Sequence, residues 1–407
     1  MPWKEVTPME EINRFVSLAA SGRFTRTELC RDFGVSRKTG HKWLRRYRAE
    51  GLAGLRPRSR APQQCPHRTA AKMEQLILRE RRFHRTWGPR KLQDLLRGKY
   101  GLKRLPACST IARILQRHGA SQRPRRKPGL YEVSRAALTK ATHSNHVWTV
   151  DFKGWVMLNA LQRCDPLTVC DLFSHYVIGC RAQPNQQFRG TLRTFKALMR
   201  HHGLPKIIRV DNGTPFASVG LGRLSQLSVW WINQGIAVEF TRPSHPQDNG
   251  SHERMHKDLK AEALAPPSPN LRAQQRRFER WQYIYNHVRP HESLQMRKPA
   301  QMYRHSQRRL RDNDSALRYP HTYLVKRLSL AGWLWHDGHN YHVGEAFARC
   351  RVGLSINPRG CTELYFANRL LGCLVYDPAE QFRPKAYIAP PDHKPLAKTH
   401  PKTKSKV

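Results

Sequence analysis

The sequence predicts a multidomain α+β protein, with helical units at the N-terminus, a central α/β core and a small β-barrel at the C-terminus. Three patterns along the 407 residues indicate this order. Apolar residues recur at helical spacing up to about residue 120, strands mix with helices over 146–303, and short strands follow over 321–388. Stretches without periodicity at 59–69 and 304–320 read as linkers.

Residues 1–60 are predicted to form a helix-turn-helix DNA-binding domain. Gly34 permits a tight turn after a first short helix, and Ser36 is a good N-cap for a second one. The start of this second helix is strongly basic, and in a helix-turn-helix that end meets base edges. A plain helical hairpin with a solvated basic face is the alternative interpretation. The predicted DNA contacts are Arg37, Lys38, His41 and Lys42.

Residues 70–120 are predicted to form a second helix-turn-helix-like domain of three helices. The polar face of its last helix carries Thr110 and Arg113, which we expect to contact DNA. A basic linker follows at 121–145, and its Arg123-Pro-Arg-Arg-Lys-Pro128 run is suited to a phosphate backbone.

The central segment changes to strand periodicity at residue 146. Strands and helices then alternate, which is typical of a mixed α/β layer. Strands are expected at 146–153, 206–213 and 237–241, and a strand or a hairpin at 167–180. Helices are expected at 190–202, 221–233, 250–264 and 271–292.

The charge of the chain indicates a polyanionic partner. The 73 Lys and Arg residues against 29 Asp and Glu give a net charge of +44, and nucleic acid is the partner that such a charge suits best. An unusually basic proteome would be the bland explanation. The nine cysteines form no C-x-x-C pair, which fits a reducing compartment, and we expect no membrane association. A basic, disordered tail is expected at 389–407.

Acidic residues are scarce in this chain, so those that lie in apolar strands are candidate functional residues. Asp151 and Asp211 each end an apolar strand, where an unpaired charge is costly to bury. Two separate ion pairs would explain them, and so would a cluster neutralised by metal once a third acid joins them. Oxygen ligands favour Mg²⁺, with Mn²⁺ as a substitute.

The third acid is expected from the segment after 237–241, where Glu239, Asp248 and Glu253 are the candidates. We favour Glu253 because Lys257 and Lys260 follow it on one helical stripe, which suits a DNA backbone held beside metal.

Glu253 also belongs to an H-E-x-x-H pattern, formed with His252 and His256, which is typical of zinc peptidases. The sequence offers no clear further zinc ligand, and a charge of +44 suits no such enzyme. We therefore expect no zinc.

Residues 146–303 resemble the catalytic core of the DDE transposases of bacterial insertion sequences, relatives of retroviral integrases. The segments that carry the likeness are Trp148-Thr-Val-Asp-Phe-Lys-Gly154, Val210-Asp-Asn-Gly-x-x-Phe216, Pro246-Gln-Asp-Asn-Gly-Ser-His-Glu253 and Tyr285-Asn-x-x-Arg-Pro-His291. The resemblance implies an RNase H-like core.

For the chemistry, the resemblance implies that Asp151, Asp211 and Glu253 bind Mg²⁺ for cleavage at element ends and for strand transfer by a 3′-hydroxyl. The implied partners are double-stranded DNA, as terminal repeats and as target, and further copies of the chain in a dimer or larger oligomer. Such an enzyme would work in the bacterial cytoplasm, on the nucleoid. The 41 residues between Asp211 and Glu253 exceed the usual integrase spacing. A DNA-binding regulator with an inactive core is the alternative function.

Overall fold

The computed structural model describes residues 7–58, 68–121, 138–242, 246–311, 317–377 and 385–391. The chain divides into two compact units, Met1–Thr69 and Ala70–Val407. Within the described stretches, no helix has the length and apolar character that crossing a membrane requires. Most of the predicted basic linker and nearly all of the predicted tail lie outside the described residues.

The first unit is a three-helix bundle, as the sequence predicts. Capping boxes at Thr7 and Thr25 start the first two helices, and the Ser36 side chain caps the third by accepting from the Thr39 N–H. Gly34 takes a φ of +61° in the turn between the last two helices, a conformation that glycine adopts without strain. The helices are α1 (Pro8–Ala20), α2 (Arg26–Asp32) and α3 (Arg37–Glu50), followed by a 3₁₀ turn at Gly51–Leu55.

The second unit begins with another three-helix bundle, packed around the buried Trp87 indole. Ile77, Leu92 and Ile111 surround this side chain, one from each helix. Ile284 and Val288 of the central domain pack against the same cluster, so this bundle is docked on the core. The helices are α4 (Ala71–Phe83), α5 (Pro89–Tyr100) and α6 (Cys108–Arg117).

The central domain is built on one mixed sheet, which confirms the predicted α/β layer. The strand order is β2-β3-β1-β5-β6, with β4 paired to β3. β3 is antiparallel to both β1 and β4, whereas β1, β5 and β6 run parallel to one another. The strands are β1 (Val147–Phe152), β2 (Val156–Met157), β3 (Arg163–Asp171), β4 (Val177–Gln183), β5 (Ile207–Val210) and β6 (Ala237–Phe240).

Helices cover both faces of this sheet, so its strands bury side chains on both sides. In β3, Leu167 and Val169 face the cluster that holds α7 and α8, and Cys164 and Cys170 face the cluster that holds α9 and α10. The helices are α7 (Phe188–His202), α8 (Gln226–Asn233), α9 (Gly250–Leu259), α10 (Leu271–Tyr283) and α11 (Pro299–Met302). Single π turns continue α9 over Lys260–Leu264 and α10 over Ile284–Val288; 3₁₀ turns lie at Leu221–Arg223, Pro246–Asn249 and Glu292–Leu294.

The C-terminal segment forms strands where the sequence predicts them, but the predicted small β-barrel is not supported. Five antiparallel strands form an open sheet in the order β13-β12-β11-β10-β7, and β8 and β9 form a separate hairpin. In the described residues, β7 and β13 do not pair with each other. The strands are β7 (Leu324–Arg327), β8 (Trp333–His336), β9 (His339–His342), β10 (Arg351–Ile356), β11 (Thr362–Phe366), β12 (Arg369–Asp377) and β13 (Lys385–Ala389), with a 3₁₀ turn at Glu345–Phe347.

The C-terminal sheet shares its apolar core with the central domain. Phe347, Phe366 and Leu371 share one hydrophobic cluster with Trp231 of α8. The sheet therefore buries apolar side chains against the central domain rather than only within a closed barrel. The Arg369 guanidinium fastens the two by donating to the carbonyls of Val238, at 3.1 Å, and Gly222, at 3.4 Å.

Candidate active site

Asp151 lies in β1, and Asp211 directly follows β5, the parallel neighbour of β1. β1 pairs with β5 in a register that matches Val147 to Ile207 and Thr149 to Arg209, an offset of 60 residues (207 − 147). The same offset sets Asp151 against Asp211 two residues beyond the last matched pair. Both carboxylates therefore lie at the carboxyl ends of neighbouring strands, the edge of an α/β sheet where ligands bind.

The environment of Asp151 brings the three predicted acids together electrostatically. Its side chain is 26% exposed. Burial raises the pKa of Asp151 to about 7, and the negative charges of Asp211 and, more weakly, Glu253 add to this shift. Lys153 and the Phe152 backbone N–H act in the opposite direction. A cation bound between these carboxylates would relieve the repulsion.

The other two candidates for the third acid each form an ion pair with an arginine. Glu239 accepts from the Arg209 guanidinium at 2.9–3.0 Å and from the Thr139 N–H at 3.0 Å. The Asp248 side chain is 2% exposed and binds Arg242 at 3.0–3.1 Å. Glu253 is exposed in the first turn of α9 and makes no ion pair within the described residues.

His252 and His256 face the opposite way from Glu253, into the sheet, and are 1% and 4% exposed. Thr149 and Thr168, which are buried on β1 and β3, meet them there. Thr168 Oγ1 lies 2.7 Å from His252 Nε2 and 2.6 Å from His256 Nε2, and Thr149 Oγ1 lies 2.8 Å from His252 Nδ1. This network joins α9 to the strand that carries Asp151.

Counting hydrogens fixes the tautomers of this network. The Thr168 hydroxyl donates its hydrogen to the Asp151 carbonyl at 3.0 Å, so both Nε2 atoms must donate to Thr168. His252 Nδ1 then accepts from Thr149 at 2.8 Å, the shorter of two contacts that compete for the one hydroxyl hydrogen, since the Cys170 carbonyl lies 3.4 Å from the same oxygen. His256 Nδ1 is left as an acceptor that faces Asp151 Oδ2 at 3.5 Å, and two acceptors at this distance need a proton or a cation near them.

Burial keeps both imidazoles neutral. It lowers the pKa of His252 to about 3 and that of His256 to about 2, where the neighbouring His252 and Lys153 add to the effect. The burial of both histidines could have been predicted from the sequence. Residues 252, 255, 256 and 259 form one helical face, and the apolar Met255 and Leu259 mark it as the buried one.

Two metal sites can be tested against these contacts. Asp151, His252 and His256 could in principle hold an ion, since one ligand atom from each lies within 4.8 Å of the others. Hydrogen bonds to threonine occupy both nitrogens of His252, however, and Glu253 points away from the imidazoles. The peptidase arrangement is therefore absent from the described residues. The carboxylates of Asp151, Asp211 and Glu253 form an oxygen-only set, which fits Mg²⁺ or Mn²⁺.

The residues predicted to contact DNA lie in three places. Arg37, Lys38, His41 and Lys42 are exposed on α3, where a groove of about 780 Å³ runs past the last three. On α6, Arg113 is exposed and Thr110 half-buried. Lys257 and Lys260 are exposed on the helix that carries Glu253. All but Thr110 are accessible to a polyanion.

Family models match most of the described core and the N-terminal bundles. Two models described as integrase core domains match residues 141–246 and 234–299. A model described as a helix-turn-helix domain matches residues 14–63, and one described as a homeodomain-like domain matches residues 39–115. The chain therefore combines N-terminal helix-turn-helix domains with a central integrase core.

Similar curated proteins come from bacterial insertion elements. An uncharacterized 39.2 kDa protein of insertion element IS476 from Xanthomonas euvesicatoria is 26% identical over 270 residues, which are 66% of this chain and 75% of that protein. A 31.7 kDa protein of insertion element IS407 from Burkholderia multivorans is 26% identical over 216 residues, 50% of this chain and 76% of that protein. The resemblance to insertion-sequence transposases with an integrase-like core is confirmed.

Parts of the chain are also similar to retroviral proteins. The Pro-Pol polyprotein of simian foamy virus type 3 is 38% identical over 72 residues, 17% of this chain and 6% of the polyprotein. Among solved structures, the simian T-cell lymphotropic virus intasome with a PP2A regulatory subunit gives a TM-score of 0.36 at 15% identity, covering 77% of this chain and 96% of that one. The HTLV-2 integrase catalytic core domain with magnesium gives 0.32 at 18%, covering 40% and 100%.

Proposed function

We propose that this protein is the transposase of an insertion sequence, which binds the ends of the element, cleaves phosphodiester bonds there and joins the ends to target DNA. The observation that carries the proposal is the parallel pairing of β1 with β5, with its offset of 60 residues between Asp151 and Asp211, inside a segment matched by the integrase core. Proteins with such a core are polynucleotidyl transferases, and the helix-turn-helix domains supply a means of recognising DNA.

Asp151, Asp211 and Glu253 would hold Mg²⁺, with Mn²⁺ as a substitute. Glu253 is favoured over Glu239 and Asp248 because both alternatives are already neutralised by arginine. Bound divalent ions in such a site activate the attacking oxygen and stabilise the leaving oxygen during displacement at phosphorus. Two ions is the number we propose.

The side chains of the protein would position the DNA for two displacements. In cleavage, the oxygen of water forms a bond to phosphorus and the bond from phosphorus to the 3′-oxygen breaks. In strand transfer, the freed 3′-hydroxyl attacks a target phosphorus and displaces the target 3′-oxygen. Lys257 and Lys260 would hold phosphates beside Glu253, and the basic start of α3 would read the element end, at Arg37, Lys38, His41 and Lys42.

Joining two ends to one target implies that copies of the chain assemble on DNA as a dimer or a larger oligomer. We also propose the domain boundaries that the sequence predicts, 1–60, 70–120 and 146–303.

Single substitutions of the three acids test this function. In full-length protein, Asp151→Asn, Asp211→Asn and Glu253→Gln should each lower Mg²⁺-dependent strand transfer by more than about 100-fold. Mutating a residue that only hydrogen-bonds to a metal ligand already lowers metal affinity or activity by about 10 to 100-fold. Binding to a duplex that carries the element end should stay within about threefold of wild type, because the charged DNA-binding surfaces are untouched.

Glu239→Gln and Asp248→Asn are the matched controls for Glu253→Gln. Each removes a carboxylate of the same segment, and strand transfer should persist in both after allowance for lost stability. Full activity in any of the three acid variants would reject that residue as a ligand. A wild-type protein that binds ends but neither cleaves nor joins them would instead be a DNA-binding regulator.

A further inference from the structure

A groove of about 1140 Å³ separates the second helical bundle from the catalytic helix α9. One wall is the end of α4 with the loop after it, carrying Arg82 and Arg85. The other wall is α9, carrying Arg254 and Lys257, one and four residues beyond Glu253. The groove therefore runs between the helical bundle and the helix that carries Glu253.

These four cations have no acidic partner within the described residues. All four side chains are exposed, and no ion pair involves any of them. Among the described residues that line the groove, Asp258 is the one carboxylate, and it binds the Arg289 guanidinium at 2.6 Å. Like charges that face each other across a groove repel, which favours a polyanion between them.

Arg289 holds the two walls together. Its guanidinium, 3% exposed, donates to Asp258 of α9 at 2.6 Å, to Glu262 at 3.2 Å and to Thr86 Oγ1 of the bundle at 3.1 Å. It also lies over the Trp87 ring, 5.8 Å from the centroid. The spacing of the opposed cations is therefore set by a buried polar junction and not by loose surface loops.

From this arrangement we propose that the groove binds the phosphate backbone of double-stranded DNA and guides it towards Glu253. Arg82, Arg85 and Arg254 become DNA contacts in addition to Lys257. The inference deepens the proposed function, because it names the path of the DNA between the second helical bundle and the active site. Phosphate contacts of this kind fix position and register and carry no sequence information themselves.

The salt dependence of DNA binding tests the groove. The probe is a fluorescent 40-base-pair duplex of random sequence, titrated with full-length protein in EDTA at several salt concentrations. Each lost phosphate contact reduces the slope of log K against log salt by about 0.9, so Arg82→Ala with Arg85→Ala should reduce it by about 1.8. Adding Arg254→Ala should reduce it by about one more.

Two further variants separate charge from fold. Arg193→Ala with Arg200→Ala removes two exposed arginines of α7, outside the groove, and should leave the slope unchanged. Arg82→Lys with Arg85→Lys should keep the wild-type slope, because the slope counts neutralised phosphates and lysine keeps the positive charge. Urea unfolding of every variant checks that the fold is intact.

An unchanged slope in the groove variant, or an equal fall in the α7 control, would overturn the proposal. This outcome is distinguishable from failure of the proposed function, since binding in EDTA requires no chemistry. If the wild-type protein never joins DNA but its groove variants show the predicted slope changes, the DNA-binding groove is supported and the transposase function is rejected.

Discussion

At the scale of single residues, the site depends on how Asp151 is held. Its backbone carbonyl accepts a hydrogen bond from the Thr168 hydroxyl. The same hydroxyl oxygen accepts hydrogen bonds from the Nε2 atoms of both histidines of α9. Its carboxylate faces His256 Nδ1 at 3.5 Å, beside the charges of Asp211 and Glu253. The same packing that joins the helix to the sheet therefore raises the pKa of this carboxyl group and makes its ionised form depend on a cation.

This environment predicts how magnesium binding depends on pH. Asp151 has a pKa of about 7, raised from 3.8, so it is largely protonated at pH 5 and ionised at pH 8. Since Mg²⁺ must displace that proton, its apparent affinity should rise about tenfold per pH unit below 7 and level off above it. Calorimetry in two buffers of different ionisation enthalpy should find close to one proton released per site at pH 6.

The Asp151→Asn variant is the control for this titration. It should bind Mg²⁺ weakly, with little dependence on pH. A wild-type affinity that changes by less than about twofold between pH 5 and pH 7 would show that Asp151 is ionised throughout and that the proton is not shared with His256.

At the scale of elements, Arg289 supplies a buried polar contact between the second bundle and α9, beside the apolar contacts of Ile284 and Val288. Arg289 satisfies Asp258 and Glu262, whose side chains are 15% exposed, and burial with the nearby Arg289 charge lowers the pKa of Lys91 to about 8. In the sequence this arginine is one letter of the Tyr285–His291 segment, and nothing there shows which helices it joins.

Replacing Arg289 should loosen this junction. Arg289→Met leaves two carboxylates without their buried partner, and the free energy of unfolding should fall by about 3–5 kcal/mol. Arg297→Met, at an exposed position eight residues (297 − 289) further along the chain, should change it by less than about 0.5 kcal/mol. Urea unfolding gives these values.

A partial recovery in the triple variant with Asp258→Asn and Glu262→Gln would identify the uncompensated charges as the cause. Hydrogen exchange should increase in α4 to α6 of the single variant. Wild-type stability in Arg289→Met would show that the bundle docks through its apolar contacts alone.

At the scale of the whole molecule, the sequence predicts helices and strands well, and it predicts poorly how distant segments pack together. The three helices of the first bundle follow their caps, and the strands that precede Asp151 and Asp211 follow their apolar runs. The sequence also predicts most C-terminal strands, but it does not show that Phe366 and Leu371 share a hydrophobic cluster with Trp231 of the central domain. Such packing depends on neighbours distant in the chain.

The same limit applies to the candidate site. The acids can be selected from strand ends and helical stripes, because each is a local pattern. Glu239 and Asp248 could be set aside only once the structure showed their arginine partners. The basic groove could not be predicted, because its two walls lie more than 160 residues apart in the sequence, at Arg85 and Arg254. The metal-binding role of Asp151, Asp211 and Glu253 stays a prediction.

A metal rescue experiment tests that role most directly. Asp211 is exposed directly after β5, so a cysteine fits there without disturbing the core. Thiolate is a poor ligand for Mg²⁺ and a better one for softer ions, so Asp211→Cys should lose strand transfer in Mg²⁺ and recover part of it in Mn²⁺. Asp211→Ala should stay inactive in both ions. Equal activity of the cysteine and alanine variants in Mn²⁺ would contradict metal binding by this residue, and with it the proposed site.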